Sequence, residues 1–441
     1  MKLVVFLIIV TLFSFLIRIF RIGEPPGYYF DEVYHAVTAR GYADNNPAAY
    51  DPFAPPPKED TAYDWLHPPL TKLIQAGSIK IFGDVAIGWR LPSVIFGTVI
   101  IPATFVLANI LFGPTVAIFA ALVIAFENLT LVMSRITMND VFVTFFILMS
   151  FIFAVLYVRS SSRHSGEQSD SRIDSGQARM TSGIHYLIMT AIFLGLAVAS
   201  KWTGAYAIAV IGLYILFQKL KSKILDLKLI LLLVVPVFIY LTSYGQFWLQ
   251  GHTVGQFIDL HKQIWWYQNR HDLEHSYGTT PLFCVPKGLA GPKTWCPWIL
   301  NSRGVYFSYE QYGGKAGYIY ALGNPLIFWV GIIGISFLIG KYLEERKREY
   351  LLILGGYFIF WLPWILSPRI LFLYHYLPSI PFLSIALGVM LTSIYSSRFK
   401  FLAILVVLIF AVTFFYFFPI STGLPIDPPS IDQYMWLKTW R

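Results

Sequence analysis

The chain has 441 residues, 56% of them hydrophobic and only 13% charged, with a mean hydropathy of +0.61. Soluble domains carry about 25% charged residues. An ordinary soluble fold, an intrinsically disordered chain and, with 2 Cys, a disulfide-stapled scaffold are therefore excluded, which leaves a polytopic membrane protein. The formal charge of +9 reads as a topology signal, not a nucleic-acid footprint, because the basic residues fall in short loops between apolar runs.

A bilayer core needs about 20 mostly apolar residues per helix. Roughly eleven such runs occur, at 2–20, 90–111, 113–131, 138–158, 184–200, 203–218, 227–244, 322–340, 350–366, 370–392 and 400–419. The expected fold is thus an all-α membrane protein, with residues 1–441 as a single integral membrane domain. The first run has Lys2 ahead of it, Arg18 and Arg21 behind it and no small-residue cleavage pattern, so it reads as a retained helix. With the N-terminus in the cytoplasm, Arg159, Arg163, Arg172 and Arg179 share one side with Lys219, Lys221, Lys223 and Lys228. Lys341, Arg346, Lys347, Arg348, Arg398 and Lys400 join them. That placement obeys the positive-inside rule. It makes 159–184 a flexible cytoplasmic loop. It puts loops 21–89 and 245–321, and the tail from about 420, outside.

In the first outer loop, Asp31 and Glu32 open a predicted helix in which Asp31 and His35 share a face. The carboxylates could simply cap that helix. After a proline-rich stretch at 45–60, His67-Pro68-Pro69 precedes a second helix to about Phe82. It includes Lys72, and Leu70, Leu73, Ile74, Gly77 and Ile81 recur at helical spacing, as in a helix lying on the outer leaflet. Arg90, Arg135, Asn139, Asp140, Lys201, Arg369 and His375 mark the outer ends of predicted membrane helices. Ionisable groups at such depth are costly unless paired or used. The second outer loop is rich in aromatics and histidines, Trp265 among them; such side chains suit sugar binding or interfacial anchoring. His271 and His275 are four apart, but no further ligands or HExxH pattern accompany them, and no metal site is expected. Cys284 and Cys296 flank a Gly/Pro-rich stretch on the oxidising side and are expected to pin the loop as a disulfide. Asn128-Leu129-Thr130 fits a glycosylation sequon but lies too close to the membrane to serve as one.

In order along the chain, Phe30-Asp31-Glu32, His67-Pro68-Pro69-Leu70-x-Lys72, Arg90-Leu-Pro, Ser134-Arg135 with Asp140, Ser200-Lys201-Trp202-x-Gly204, Ala321-Leu-Gly-Asn-Pro325 and Tyr374-His-Tyr-Leu-Pro378 form one set. In these motifs the chain resembles the protein O-mannosyltransferase family over most of residues 28–390. The resemblance implies a GT-C type glycosyltransferase fold. It also implies transfer of mannose from a polyprenyl-phosphate carrier to Ser or Thr hydroxyls outside the cytoplasm, with Asp31 and Glu32 in the catalytic site and Arg90 near the donor phosphate. The second loop is too short for the β-trefoil module of eukaryotic members, so the chain looks like a prokaryotic one.

Phosphate is already a competent leaving group, and positive charge is what its departure needs. Arg90, helped by Arg135, Lys201 or Arg369, is expected to supply it without a divalent cation or other cofactor. Asp31 is expected to take the acceptor proton. Glu32 is expected to orient the acceptor or sugar, with His35, His67, Lys72, Asp140, Trp265 and His375 positioning acceptor, sugar or loop. The expected partners are the lipid-phosphate sugar, a secreted or membrane protein acceptor, the bilayer, and a Sec translocon or a second copy of the chain. Two other readings remain at this stage. One is transfer of another lipid-phosphate sugar to a glycolipid or cell-wall polymer. The other is a transporter, disfavoured because no charge sits mid-span and the elaborated loops share one side.

Overall fold

A computed structural model describes residues 1–162, 175–220, 227–270, 298–367 and 371–441. Each predicted apolar run contains a helix, and the lengths of those helices carry the main differences from expectation. In chain order the helices are α1 (Lys2–Ile19), α2 (Glu32–Ala43), α3 (Leu70–Phe82), α4 (Ala86–Phe112), α5 (Pro114–Ala125) and α6 (Asn128–Met133). Then come α7 (Asp140–Ser162), α8 (Ser175–Ser200), α9 (Ala205–Leu220), α10 (Leu231–Ser243), α11 (Gly245–Leu249) and α12 (Val254–Gln268). After strands β1 (Val305–Tyr312) and β2 (Lys315–Ala321) follow α13 (Pro325–Glu345), α14 (Arg348–Ile359), α15 (Ile380–Tyr395) and α16 (Lys400–Thr422).

Among the described residues, seven helical stretches are long and apolar enough to cross a membrane, and three more apolar helices are shorter. The expected run 113–131 is interrupted at Phe126-Glu127. There the Glu127 carboxylate accepts hydrogen bonds from the amides of Leu129 (2.9 Å) and Thr130 (2.6 Å) and starts α6 afresh. The run 350–366 ends its α-helix at Ile359, before a 3-10 turn containing Pro363. At the other extreme, α8 begins at Ser175, inside the loop expected to reach 184; the centre of that loop lies outside the described residues.

Burial follows the solvent each helix meets. α1 is apolar on all sides and exposes Val4, Ile8, Leu12 and Leu16, which suits lipid. In α15, every residue from Ile380 to Leu391 is buried. It packs closely on α5 because Gly388 has no side chain: a Cβ there would meet the Val116 carbonyl oxygen at 2.7 Å. α3 inverts the rule for soluble proteins. Thr71, Lys72, Gln75 and Ser78 are buried, whereas Ile81 and Phe82 face outward. The predicted apolar stripe is therefore split: Leu70, Leu73 and Ile74 are half-buried against core clusters, whereas Gly77 and Ile81 are exposed.

The chain is mostly helical, and the one sheet among the described residues is the antiparallel hairpin β1–β2. Val305 and Phe307 are buried and Tyr306 is exposed, the alternation of a half-buried strand. Gly313 and Gly314, with φ of 52° and 86°, form the two-residue connection. Hairpin turns of this length favour positive φ at both central residues, and glycine supplies it without strain. The C-terminal segment then folds back: Ile426 pairs with Ala316, and Tyr434 and Trp440 pack with Leu322, Phe417 and Ile420. Gln246 at the start of α11 donates to the Tyr42 carbonyl oxygen (2.8 Å), and Tyr312 of the hairpin donates to Glu24 (3.1 Å). Both outer loops thus gather at one end of the helical bundle.

Candidate active site

The site is built where α2 and α3 meet the outer ends of α7, α8 and the 3-10 turn Leu373–Ser379. Phe30 adopts a left-handed conformation (φ 50°) and stacks on Phe307 of the hairpin, ring centroids 4.1 Å apart. That turn delivers Asp31 and Glu32 to opposite destinations.

Asp31 stands at the N-terminus of α2 but makes no side-chain cap bond, so capping does not account for it. Its carboxyl lines a cavity of about 380 Å³ with Tyr34, His35, Asp64, His67, Asn139, Asp140, Lys201, Tyr374 and His375. The Tyr374 hydroxyl donates to Asp31 Oδ2 at 3.3 Å. Burial raises the Asp31 carboxyl, with His35 and the Tyr374 hydrogen bond opposing and the neighbouring Asp64 and Asp140 charges adding to the rise.

Glu32 points away from the cavity and is fully buried. Arg90 Nε donates to its Oε1 (2.9 Å), Arg90 Nη2 to its Oε2 (2.7 Å), and the Thr137 amide to Oε1 (3.0 Å). Arg90 also donates to the carbonyl oxygens of Ile22, Pro25 and Gly27, and lies over the Tyr29 ring. In this structure Arg90 and Glu32 are partnered with each other, and neither lines the cavity. Every N–H direction of the guanidinium is taken up inside the protein, and the pair clamps the loop after α1 onto α4. Arg135 is likewise engaged within the fold. Its guanidinium donates to the carbonyl oxygens of Arg18 (2.7 Å) and Phe20 (2.6 Å) and closes the C-terminal end of α1.

Lys201 remains in the cavity. Its Nζ is 2.8 Å from Asp140 Oδ1 and 5.7 Å from the centre of the Tyr374 ring. It is the one Lys or Arg among the described residues lining the cavity. Arg369 lies outside the described residues, as do Cys284, Cys296, His271 and His275. His375 lines the cavity wall and stacks on Trp298 (6.0 Å, 13°). Trp265 lies instead in an adjoining chamber of about 470 Å³, which shares Leu66, His67 and Lys201 with the first. Asn128 is buried and donates to the Phe414 carbonyl oxygen and to Ser421, so its amide is committed within the fold.

Asp64, which the sequence analysis did not single out, organises the opposite wall. Its Oδ2 lies 2.6 Å from Lys72 Nζ, 2.9 Å from His35 Nδ1 and 3.1 Å from His67 Nδ1. Thr38 Oγ1 accepts from the Asp64 amide (2.6 Å). Burial by itself would raise the Asp64 carboxyl, but Lys72, His67 and His35 outweigh it and hold it well below the usual carboxylate range. Burial lowers His67 to about 4, against the attraction of Asp64, and lowers Lys72 in the same way. His67 is therefore neutral near pH 7. With Nδ1 facing a carboxylate it carries its proton there and presents Nε2 as an acceptor. The donor atoms of His35, Asp64 and His67 lie within 4.8 Å of one another, close enough to share a metal ion. The Lys72 ammonium already balances the single carboxylate of that group. The one signal in the sequence was the spacing of Asp64 three residues before His67, at the edge of the His-Pro-Pro motif.

Comparison with known proteins identifies the family and the fold. Residues 8–250 match the family described as dolichyl-phosphate-mannose-protein mannosyltransferase, and residues 253–440 match the C-terminal four TMM region of protein-O-mannosyltransferase. A polyprenol-phosphate-mannose–protein mannosyltransferase of Corynebacterium glutamicum is 25% identical over 432 residues, covering 85% of this chain and 81% of that protein. One from Mycobacterium tuberculosis is 24% identical over 430 residues with the same coverage. Among solved structures, the Saccharomyces cerevisiae protein O-mannosyltransferase Pmt1-Pmt2 complex bound to the sugar donor superposes with a TM-score of 0.75 at 16% identity. The match covers 100% of this chain and 93% of that one. ArnT from Cupriavidus metallidurans in the apo state gives 0.56 at 14% identity, over 98% and 79% of the chains. The fold is that of the GT-C glycosyltransferases, and the chain is a multi-pass membrane protein.

Proposed function

Because the chain belongs to the dolichyl-phosphate-mannose-protein mannosyltransferase family, we propose that it transfers mannose from a polyprenyl-phosphate carrier to Ser or Thr hydroxyls of proteins, on the extracytoplasmic face. The observation that carries the chemistry is Asp31. It is an uncapped carboxylate in a cavity, with a depressed tendency to ionise, held by Tyr374 and facing Lys201 across the same space.

In the reaction, the acceptor hydroxyl gives its proton to the Asp31 carboxylate as its oxygen bonds to the anomeric carbon. The bond from that carbon to the phosphate oxygen breaks, and polyprenyl phosphate leaves with the electron pair. Attack opposite the leaving group inverts the anomeric centre and turns a β-linked donor into an α-mannoside. Lys201, held by Asp140, is the cation that meets the developing phosphate charge. Arg369 is its proposed companion, since Ser367 and Phe372 on either side of it in sequence line the two chambers. Monophosphate charge is within the reach of such cations, and no divalent metal is required. A cavity of this size admits a side chain rather than a folded surface. That supports delivery of the acceptor as an extended chain, for example from a Sec translocon, to an enzyme acting alone or beside a second copy.

The test is transfer by purified protein in detergent. Polyprenyl-phosphate mannose should mannosylate Ser/Thr peptides, and a metal chelator should leave the rate unchanged. Transfer confined to lipid acceptors would refute the protein-directed reading. Arg369→Gln is expected to slow turnover by about tenfold or more, through lost stabilisation of the leaving phosphate.

A further inference from the structure

Asn139 precedes α7 in the position of an N-cap residue, and its carbonyl oxygen accepts the Val143 amide at 3.1 Å. Asparagine at such a position ordinarily turns its side chain onto the helix's free amides. Here it does not. The residue is 1% exposed, and neither Oδ1 nor Nδ2 has a hydrogen-bond partner among the described residues. It lines the same cavity as Asp31, next to Asp140, whose Oδ1 is held by Lys201 while Oδ2 is likewise without a hydrogen-bond partner. A buried polar group left unsatisfied is destabilising, and native structures rarely tolerate one without a use for it.

We propose that the Asn139 amide binds the donor's sugar ring, taking two neighbouring hydroxyls as the sugar-reading group of the site. The inference rests on the glycosyltransferase function proposed above. A carboxamide offers a donor and an acceptor in one plane, and adjacent hydroxyls each can give and take a hydrogen bond. A phosphate only accepts and would leave Oδ1 unpaired; Lys201 is the partner suited to it. The acceptor's peptide backbone is a poorer fit as well, because Asn139 is walled off from solvent whereas Asp31 and Tyr34 reach it. Asn139 therefore holds the ring while Asp31 deprotonates the incoming hydroxyl. An asparagine hydrogen-bonded in this way rejects a sugar lacking one of its hydroxyls, because its own polar atoms are then stranded.

Purified wild type, Asn139→Ala and Asn139→Leu would be titrated with polyprenyl-phosphate mannose and with polyprenyl phosphate, which shares the carrier but lacks the sugar. Asn139→Ala is expected to bind the mannosylated carrier at least about tenfold more weakly and the bare carrier as the wild type does. Donors lacking one ring hydroxyl should divide the same way. One of them should lose about tenfold or more of kcat/KM with the wild type and little with Asn139→Ala. Asn139→Leu, which removes the stranded amide at similar volume, should raise the unliganded Tm by about 1–2 °C while losing the sugar preference. Equal weakening for both carriers, or equal losses for every deoxy donor, would make Asn139 structural and overturn the inference. If the wild type binds both carriers alike, Asn139 reads no sugar. If it binds neither, the function on which the inference stands has failed first.

Discussion

At the scale of single residues, two adjacent carboxylates that look equivalent in sequence are separated by burial and partners. Asp31 lines the cavity, and burial raises its carboxyl above the ordinary value. Because its folded pKa is raised, the native state binds the proton more readily than the unfolded chain. Its ionisation therefore costs stability as pH rises through the folded value. Asp31→Asn removes that cost together with the base. The variant should melt higher than wild type near pH 7 while transferring sugar about 10²–10⁴-fold more slowly. The acid limb of the wild-type kcat profile should lie above the range of an ordinary aspartate and vanish in the variant. Circular-dichroism melts and transfer assays on monodisperse protein check both; a folded Asp31→Asn enzyme of near wild-type rate would remove it from the chemistry. Arg90→Gln should behave in the opposite manner. It strands the buried Glu32 carboxylate, and the loss of about 3–5 kcal/mol should appear as falling yield and Tm. The activity of whatever remains folded should fall far less than in Asp31→Asn. A stable but inactive Arg90→Gln would restore it to the reaction.

At the scale of elements, α2 and α3 are joined by buried polar contacts as well as by apolar packing of Ala36 and Ala39 with Ile79. His35 and Thr38 from α2 and Lys72 from α3 converge on Asp64 in the segment between them. The sequence pointed to one helix opening at Asp31 and another running from the His67-Pro68-Pro69 motif to about Phe82, and helices are found at Glu32–Ala43 and Leu70–Phe82. It could not say which face of α3 turns inward. Next to lipid, an apolar stripe is as comfortable outside as inside, so only the partners waiting within decide. The intramolecular partners of Arg90 and Arg135 were hidden from the sequence for a related reason. A basic residue near a helix boundary looks the same whether its donors meet a substrate or backbone carbonyls. The Asp64 cluster has a pH signature. Burial lowers His67 from 6.5 to about 4, so between those values the unfolded chain takes the proton and the folded one does not. The stability that goes with neutral His67 is complete above about pH 6.5 and is lost as pH falls toward 4. Tm measured over that interval should drop more steeply for the wild type than for His67→Gln, which has no proton to gain. Parallel curves would show that His67 is not held neutral.

At the scale of the whole molecule, orientation follows from which charges lie at which end. α13 has 21 residues, about 32 Å at 1.5 Å per residue, close to the roughly 30 Å of a hydrocarbon core. It starts beside the hairpin, where Asn324 caps it, and ends at a turn carrying Arg346, Lys347 and Arg348. The cavity around Asp31 and this basic turn are therefore a membrane's thickness apart. Basic residues in short loops are generally retained on the cytoplasmic side, so the rule predicts a cytoplasmic turn and an extracytoplasmic cavity. The exposed proline-rich segment containing Lys58 should then be extracytoplasmic and the stretch containing Ser169 cytoplasmic. With Cys284 and Cys296 replaced by Ser, a single cysteine at Lys58 should react with a membrane-impermeant maleimide in intact cells. One at Ser169 should react only after permeabilisation. The reverse pattern would put Asp31 in the cytoplasm, where secreted chains have not yet arrived, and would defeat the extracytoplasmic acceptor along with the orientation.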